Sequence, residues 1–310
     1  MEVGIHSRAK DWLLRAWLDV CVKVKAKGTY RDTVLIDLYA GDGENTASLP
    51  DGQRETWPGS SVRMAEAAQQ DPNQRTRVIV NEKDPGKYSS LLQRIKAHPA
   101  VVTTYNEDAR TILPTVLAAL NPHDHNFFFI DPFSHSEADV NVLREIGSLS
   151  QTDVYRGVEI TRRPEIMYTF MTSGLQQSLA EKAQSSIDRF FDWTVDWRAK
   201  LSDATTAGLP AYDGFLQALL ESMDLWYPAG SHSLFEVKSP RGTVVYFMVF
   251  WATHPLAQKI FPQVARYALR YRDHDLIRRW VEVEQRVKAV GKKGKTLEAF
   301  DTNARTTKRL

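Results

Sequence analysis

Four short apolar runs in this chain each end in an acidic residue, and segments with helical periodicity separate them. The acidic ends are Asp37, Glu82, Asp108 and Asp131. Strands that alternate with helices form a parallel sheet, because every crossover returns the chain to the same edge. Ligands of such sheets bind where the strands end. The pattern therefore predicts a doubly wound α/β fold in which these four carboxylates surround one ligand site.

A glycine turn follows the first of these runs. Residues 33–36 are apolar or β-branched without alternation, which is typical of a buried strand. Gly41 and Gly43 come just after Asp37, and glycines in this place allow backbone N–H groups to approach a nucleotide-like ligand. The same pattern also occurs in ordinary turns. By itself it leaves both a ligand site and a structural turn open.

The segment after the glycine turn is rich in Asp, Gly, Pro and Ser. Residues 44–59 therefore predict a long loop beside the suspected site, since connections of this length are commonly functional. Ser60 and Ser61 then offer an N-cap for a helix over residues 62–70. Glu82, at the tip of the second strand, is placed to accept hydrogen bonds from ribose hydroxyls.

The second half of the chain leaves the regular alternation. Residues 165–172 predict a fifth strand, although 153–161 could hold it instead or form an added strand. Residues 187–229 predict a helical insertion rich in aromatic side chains, which forms either a lid over the site or a small core of its own. Two apolar runs, 234–238 and 243–252, flank a Pro-Arg-Gly segment and predict a closing antiparallel hairpin.

Basic residues gather in the last part of the chain. Arg266 and Arg270 alternate with tyrosines on a predicted helix, and Lys292 and Lys293 lie in a basic segment. Residues 291–310 predict a flexible tail, which either contacts phosphates or serves only to keep the chain in solution. The net charge is only +2, so any contact with nucleic acid has to come from a local patch such as this one.

The cysteine and histidine positions and the hydropathy pattern limit which classes of protein and of metal site remain possible. The one cysteine, Cys21, excludes a disulfide framework and a cysteine-based metal site within one chain, as expected in a reducing cytosol. His123 and His125 are close together, but no third ligand follows nearby, so we predict no metal site. Because we find neither a signal-peptide pattern nor an apolar run of membrane-spanning length, we expect a soluble, cytoplasmic protein with one domain over residues 1–290.

In their order along the chain, these motifs resemble the Rossmann-like class I methyltransferases, which use S-adenosylmethionine (SAM). The resemblance implies that Asp37 lies near the methionine end of SAM, that Glu82 binds the ribose diol, and that Asp108 accepts from the adenine amine. The cofactor-binding residues that it implies are Asp37, Tyr39, Gly41, Gly43, Glu82, Lys83, Asp108 and Ala109.

The fourth strand runs into Asp131-Pro132-Phe133, which resembles the D-P-P-F/Y motif of amino-directed nucleic-acid methyltransferases with one proline missing. Methyl transfer to an exocyclic amine needs an acceptor for the amine protons and a flat wall for the ring. The Asp131 carboxylate and the Pro132 carbonyl would supply the first, and Phe133 the second. Such a base must first leave the helical stack. The alternative is an ordinary turn at the end of a strand.

Short motifs along residues 5–270 match a narrower pattern. They are His6-Ser7-Arg8-Ala9-Lys10, Trp17-Leu18, Ile36-Asp37-Leu38-Tyr39-Ala40-Gly41-Asp42-Gly43, Gly59-Ser60-Ser61, Phe129-Ile130-Asp131-Pro132-Phe133 and Ala252-Thr253-His254-Pro255. Together they resemble the three-Cys-motif partner (TcmP) family, with departures at Asp42, Ser61 and Ser134. The resemblance implies a partner protein that carries three cysteines and is itself similar to radical-SAM proteins.

Three functions follow from these patterns. The first is a SAM-dependent methyltransferase that acts on a nucleic-acid base, with Arg266 and Arg270 contacting phosphate. The second is a non-catalytic Rossmann-like binding subunit of a nucleic-acid-processing or defence complex, which the departure at Asp42 and the single proline favour. The third is an NAD-linked enzyme. Two features argue against it. The third glycine of the dinucleotide-binding motif is missing, and the acidic Asp42 and Glu44 would repel a pyrophosphate.

Overall fold

The computed structural model describes residues 3–25, 32–98, 101–181, 183–239, 243–272, 282–283 and 285–286. The helices are α1 Ser7–Lys25, α2 Ser60–Gln69, α3 Pro85–Ile95, α4 Ala109–Ala118, α5 Val140–Ser148, α6 Thr172–Ala180, α7 Gln184–Phe191, α8 Trp197–Thr206, α9 Ala211–Met223 and α10 Pro255–Arg272. The strands are β1 Thr33–Asp37, β2 Glu44–Ser48, β3 Arg54–Pro58, β4 Thr76–Asn81, β5 Val102–Tyr105, β6 His125–Ile130, β7 Gln151–Tyr155, β8 Val158–Arg162, β9 Glu165–Phe170, β10 His232–Lys238 and β11 Val244–Trp251.

Seven strands form the central sheet, in the order β5-β4-β1-β6-β9-β11-β10. The neighbours from β5 to β9 are all parallel, whereas β11 runs antiparallel to both β9 and β10. A parallel sheet of this strand order, closed by an antiparallel hairpin at one edge, is the sheet of the class I methyltransferases. The fold class predicted from the sequence is therefore confirmed.

The sheet carries a hydrophobic core on each face. Alternate residues of a strand point to opposite faces. In β6, Phe127 and Phe129 pack with α1, α2, α3 and α10 on one face, while Phe128 and Ile130 pack with α4 to α9 on the other. Burial on both faces explains why this strand reads as an unbroken apolar run rather than as an alternating one.

Helix α1 lies antiparallel along β6. Lys10, Leu14, Trp17 and Cys21 recur at helical spacing and so share one face of the helix. Lys10 contacts Asp131, just beyond the carboxyl end of β6. Cys21 lies beside the first residue of the same strand. The helix therefore reaches both ends of β6.

The predicted helical insertion contains α7, α8 and α9. Its aromatic side chains Phe190, Phe191, Trp197 and Phe215 are all at most 2% exposed and belong to the core on one face of the sheet. No residue of 187–229 lines the cleft described below. The aromatic residues thus form neither a small core of their own nor a wall of the cleft, but part of the core on that face of the sheet.

Residues 44–59 form a hairpin rather than the long loop predicted. Strands β2 and β3 pair antiparallel, and Gly52 in their turn has φ +81°. Ala47 and Trp57 pack against Ile5 in a small separate core. The prediction of a loop was wrong because it rested on the polar composition of the segment. The few apolar side chains of the strand pair are buried by Ile5, which lies far away in the sequence.

The fifth strand of the sheet is β9, as predicted, and it lies between β6 and β11. Residues 153–161 instead form the added strand pair β7–β8, outside the central sheet. The tail 291–310 with Lys292 and Lys293, and the predicted domain end at residue 290, lie outside the described residues. Over the ranges that are described, no helix has both the length and the apolar character needed to cross a membrane.

Candidate cofactor and substrate cleft

A cleft of about 350 Å³ opens at the carboxyl ends of the parallel strands. All but one of the predicted cofactor-binding and catalytic residues line it. These are Tyr39, Gly41, Gly43, Glu82, Lys83, Asp108, Ala109, Asp131, Pro132 and Phe133. The residues come from the ends of four strands, so the parallel sheet is what brings them together.

The glycine turn after β1 needs glycine for two reasons. Gly41 and Gly43 have φ of +63° and +79°, a conformation that L side chains rarely adopt. A Cβ on Gly43 would also lie 3.1–3.3 Å from side chains of α2 and α3, and one on Gly59 would lie 2.9 Å from the Gly43 carbonyl carbon. The N–H of Gly59 donates to the Gly43 oxygen at 2.8 Å. Close packing of these backbones fixes one wall of the cleft.

Asp37 is the predicted cofactor residue that does not line the cleft. It is fully buried beneath the turn. The Ser60 hydroxyl donates to its Oδ2 at 2.6 Å, and the N–H of Tyr39 donates to its Oδ1 at 3.1 Å. Burial raises the pKa of Asp37 to about 7, against the opposing effect of these hydrogen bonds. The structure therefore gives Asp37 a role in holding the turn.

The same contact corrects the predicted serine cap. Helix α2 begins after Gly59, which is its N-cap and makes no side-chain cap hydrogen bond. The Ser60 hydroxyl points instead to Asp37. The prediction of a serine N-cap was therefore wrong, because Gly59 holds the cap position and Ser60 lies in the first turn of the helix.

Glu82 stands at the centre of the cleft wall. Its Oε2 accepts from the N–H of Gly41 and its Oε1 from the N–H of Asp84, both at 2.8 Å. These two bonds fix the carboxylate against the glycine turn. Each carboxylate oxygen can accept a second hydrogen bond, so a diol in the cleft can be bound without breaking the first pair.

Asp108 and Ala109 lie at the start of α4, beyond β5. Asp108 is the N-cap of this helix, and its Oδ1 accepts from the N–H of Arg110 at 3.0 Å. The Asp108 side chain is exposed at the cleft, whereas Ala109 is 5% exposed. The predicted adenine-binding pair is thus held at the position that the sequence indicated.

The loop after β6 is fastened by Glu137. Glu137 Oε2 accepts from the N–H of Phe133 at 2.7 Å, its Oε1 contacts Lys83, and its backbone oxygen accepts from the Tyr39 hydroxyl at 2.8 Å. The Phe133 ring remains 70% exposed. The Lys87 ammonium lies 5.8 Å from the centre of that ring. An aromatic face is therefore presented at the mouth of the cleft.

A further wall of the cleft was not predicted, although two of its residues belong to the motif over residues 6–10. This wall consists of His6, Lys10 and Tyr246. Lys10 forms an ion pair with Asp131 and lies 5.6 Å from the centre of the Tyr246 ring, which meets His6 edge-on at 5.8 Å. The spacing of four residues between His6 and Lys10, at the start of a helix, was the available signal.

Burial and the charge of Lys10 lower the pKa of His6, so its imidazole is neutral at pH 7. Burial, and then the charge of Asp131, raise the pKa of Tyr246. The cation on this wall is therefore Lys10, and it is held against the carboxylate of Asp131.

The predicted phosphate contacts are not brought to the cleft. Arg266 is exposed on α10, where its Nε donates to the Pro262 oxygen at 3.3 Å, and it does not line the cleft. The backbone of Arg270 lies on the same helix. Contact between these arginines and nucleic acid stays a prediction. The cations at the cleft mouth are instead Lys83 and Lys87.

In sequence, neither a family model nor a curated protein matches this chain. The resemblance to the TcmP family thus stays a prediction. In structure, the chain is similar to protein LPL1258 from Legionella pneumophila, of family DUF519, with a TM-score of 0.50 and 11% identity over 85% of this chain and 91% of that one. At this identity the similarity shows the fold alone.

Two further solved structures are similar at lower TM-scores. The O-methyltransferase TomG from Streptomyces achromogenes, in complex with SAM, has a TM-score of 0.42 and 12% identity over 77% of this chain and 79% of that one. Human methyltransferase-like protein 13, in complex with SAH, has a TM-score of 0.44 and 9% identity over 85% and 92%.

Proposed function

We propose that this chain is a SAM-dependent methyltransferase whose acceptor is the exocyclic amine of a nucleic-acid base. The observation that carries the proposal is that Asp131, Pro132 and Phe133 share one cleft with the glycine turn and Glu82. A cofactor on one side and an acceptor on the other can therefore meet without a change of fold. Bringing two reactants together in line is the main requirement of methyl transfer.

The residues of the cleft fit SAM. A volume of about 350 Å³ lies within the range of ligand pockets, roughly 300–1,000 Å³. Glu82 offers acceptors for a ribose diol, and Asp108 offers one for an adenine amine. The acids Asp42 and Glu44 also line the cleft at the turn. The Glu44 carboxylate is paired with Arg94 at 3.1 Å, so the repulsion of a pyrophosphate comes mainly from Asp42. SAM has none, so the charge of the turn favours SAM over NAD.

SAM, when bound, supplies a methyl group on a positively charged sulfur. As the new N–C bond forms and the C–S bond breaks, the acceptor amine has to lose a proton. Lys10 contacts Oδ2 of Asp131, which leaves Oδ1 to accept from the amine. We propose that Asp131 orients the amine nitrogen and takes up this proton.

Phe133 supports a base as the acceptor. Its ring is 70% exposed at the mouth of the cleft. Exposure of a large aromatic ring costs free energy unless a ligand covers it, and a base extruded from its stack offers a flat partner. Lys83 and Lys87, which also line the cleft, provide cations for the flanking phosphates.

A non-catalytic binding subunit is the second candidate. The ion pair between Lys10 and Asp131 favours it, because the ammonium occupies one of the two carboxylate oxygens that an acceptor amine would contact. The single proline after Asp131 points the same way. The TcmP resemblance implies a partner protein under both candidate functions. A pull-down experiment would identify that partner.

Calorimetry with SAM and SAH tests the cofactor. We expect Glu82→Ala to weaken SAM binding by about 10–100-fold, since hydrogen bonds to a charged group are worth about 1.5–3 kcal/mol. Glu107→Gln is the matched control, because Glu107 is exposed nearby and does not line the cleft. If the wild-type chain binds neither SAM nor SAH, or binds NAD instead, the proposal fails.

Methyl transfer to RNA and DNA oligonucleotides, read by mass spectrometry of the nucleosides, tests the acceptor. An N-methylated base supports the first candidate. Methylation of an oxygen on a small molecule only would overturn the choice of acceptor while leaving the cofactor proposal intact. SAM binding without transfer to any acceptor would favour the binding subunit.

A further inference from the structure

A second group of ionisable side chains lies at the opposite end of the sheet, far from the cleft. Cys21, His125 and Glu165 are 2%, 4% and 4% exposed. One ligand atom from each lies within 4.8 Å of the others. His125 Nε2 and Glu165 Oε2 are 2.8 Å apart. None of the three residues lines the cleft.

The fold brings these residues together from three elements. Strands β6 and β9 are parallel neighbours, and Glu165 pairs in register with Phe127, two residues after His125. The period of two places His125 and Phe127 on one face of the sheet. Helix α1 packs on this face, and Cys21 lies on the side of the helix that follows β6.

We propose that Cys21, His125 and Glu165 form a binding site for a divalent transition-metal ion, with Zn²⁺ as its occupant. A thiolate, an imidazole and a carboxylate are the ligand types of zinc sites. The thiolate and carboxylate carry two negative charges, which balance a divalent cation. Mg²⁺ and Ca²⁺ prefer all-oxygen shells, so the sulfur and nitrogen donors select against them.

The distances suit an ion after small side-chain movements. Ligand atoms about 2.0–2.3 Å from Zn²⁺ in a tetrahedral shell lie roughly 3.5 Å from one another. The separation of 2.8 Å between His125 and Glu165 has to widen slightly, and the separations to Cys21, within 4.8 Å, have to close by a similar amount. Rotation about side-chain bonds supplies movements of this size.

A cavity beside the cluster provides room for the fourth ligand. It has a volume of about 10 Å³ and is lined by His125, Glu165, Asp124 and His254, among others. A buried water needs about this much space. Three protein ligands and one water complete a tetrahedral shell. Because this end of the sheet faces away from the cleft, we assign the ion to holding α1 on the sheet.

Cobalt substitution gives a direct test, because Cys21 is the only cysteine of the chain. We strip the full-length protein with a chelator and titrate it with Co²⁺. A thiolate bound to Co²⁺ gives a charge-transfer band in the near ultraviolet, and any such band must come from Cys21. We expect one equivalent of Co²⁺ to saturate the band and Zn²⁺ to displace it.

Variants separate this site from adventitious binding. Cys21→Ser is expected to abolish the band. His125→Gln and Glu165→Gln are each expected to weaken Zn²⁺ binding by at least the ~10–100-fold that loss of an outer-shell partner costs. His123→Gln is the matched control, since His123 is exposed in the preceding loop and should leave affinity unchanged.

The wild-type protein alone can overturn the proposal, so it does not depend on whether a variant folds. Absence of a thiolate–Co²⁺ band would show that the His125–Glu165 pair satisfies itself without a metal. Saturation of the band without any rise in the melting temperature would overturn the assignment of the ion to holding α1 on the sheet. Binding that survives Cys21→Ser unchanged would place the ion elsewhere.

Discussion

The two ends of the central sheet handle buried charge in different ways. At the carboxyl end, the acid Glu82 is held by backbone N–H groups and still faces a cleft. At the amino end, Glu165 is held by the side chain of His125 and is closed off from solvent. Backbone donors leave a carboxylate with lone pairs for a ligand, whereas a side-chain partner that is itself buried leaves little room except for an ion.

The two ends of a parallel sheet are therefore suited to different functions. The carboxyl ends carry turns whose glycines let a ligand approach the backbone. The amino ends are capped by the incoming helix, so side chains from distant parts of the sequence meet there. One end is suited to bind and exchange molecules, and the other is suited to hold the structure together.

The largest effect is expected at the carboxyl end, on catalysis. Asp131→Ala removes the group that accepts the amine proton, so methyl transfer should fall by about 10²–10⁴-fold while SAM affinity stays within a few-fold. The control is Glu159→Gln, an exposed acid in the β7–β8 hairpin. Radiolabel transfer from SAM measures the rate. If both variants lost the same fraction of the methyl-transfer rate, the loss would not be specific to Asp131 and the catalytic role of the carboxyl end would be contradicted.

Unfolding measured against pH should separate the two ends by sign. Burial raises the pKa of Asp37 to about 7, and the unfolded carboxyl has an ordinary pKa of about 4. Between these values the folded state holds a proton that the unfolded state has lost. The contribution of Asp37 to the free energy of unfolding therefore falls as pH rises from about 4 towards 7 and stays constant above pH 7. The total change is on the order of 4 kcal/mol.

At the amino end, Asp71 should behave in the opposite way. Burial alone would raise the pKa of Asp71, but hydrogen bonds from Asn73, Thr76 and Arg75 outweigh it and lower that pKa. Its stabilising contribution is present above the ordinary pKa and is lost as pH falls through the folded pKa. Urea titrations between about pH 3 and 8 check both signs. Asp37→Asn should reduce the loss of unfolding free energy as pH rises towards 7. Asp71→Asn should reduce the gain of unfolding free energy as pH rises through the folded pKa of Asp71. The same sign at both ends would contradict the comparison.

Two glycines with similar backbone angles distinguish a crowded turn from an open one. Gly43→Ala and Gly208→Ala both place a side chain at positive φ, +79° and +72°, at a cost of about 1–2 kcal/mol. Only the Gly43 substitution meets neighbours, at 3.1–3.3 Å, so it should cost about 1–3 kcal/mol more. Urea unfolding gives the difference. Similar losses would mean that the turn adjusts and is not a fixed wall.

The smallest effect is expected at the mouth of the cleft. Lys87→Ala removes a cation that lines the cleft and is proposed to contact a flanking phosphate, and an exposed ion pair is worth about 0.5–1 kcal/mol. The KM for a nucleic-acid acceptor should therefore rise by roughly 2–5-fold with kcat unchanged. Lys96→Ala, at the other end of α3, is the control. An unchanged KM in the Lys87 variant would show that Lys87 is not part of the acceptor site.

Much of the fold was predictable because β1, β4 and β6 each contain a short apolar run and are followed by, or end in, a polar tip. The positions of Glu82, Asp108 and Asp131 followed from that pattern, since parallel strands end at one edge. The burial of Asp37 did not follow, because the direction of its side chain is set by hydrogen bonds from Ser60 and Tyr39 that the strand pattern does not predict. The strand pair over residues 44–59 was missed since its buried face is covered by Ile5.

The cluster at the amino end was beyond reach for a different reason. Metal sites are recognised in sequence by ligands spaced a few residues apart. Cys21, His125 and Glu165 are separated by most of the parallel sheet. The prediction of no metal site rested on the local spacing of His123 and His125 and on the presence of one cysteine, and neither criterion detects a single cysteine that meets ligands from distant strands. Register between β6 and β9, together with the packing of α1, is what makes them neighbours.

Helix α1 makes the two ends interdependent. It touches Asp131 through Lys10 and the metal cluster through Cys21, so a shift of this one rigid element along β6 alters both contacts together. If filling the metal site favours one position of the helix, it must change the affinity for an acceptor held at Asp131, and the acceptor must change metal affinity by the same factor. Binding of an acceptor oligonucleotide, measured by calorimetry with and without Zn²⁺, gives that factor, and a value of one would show that the two ends act independently.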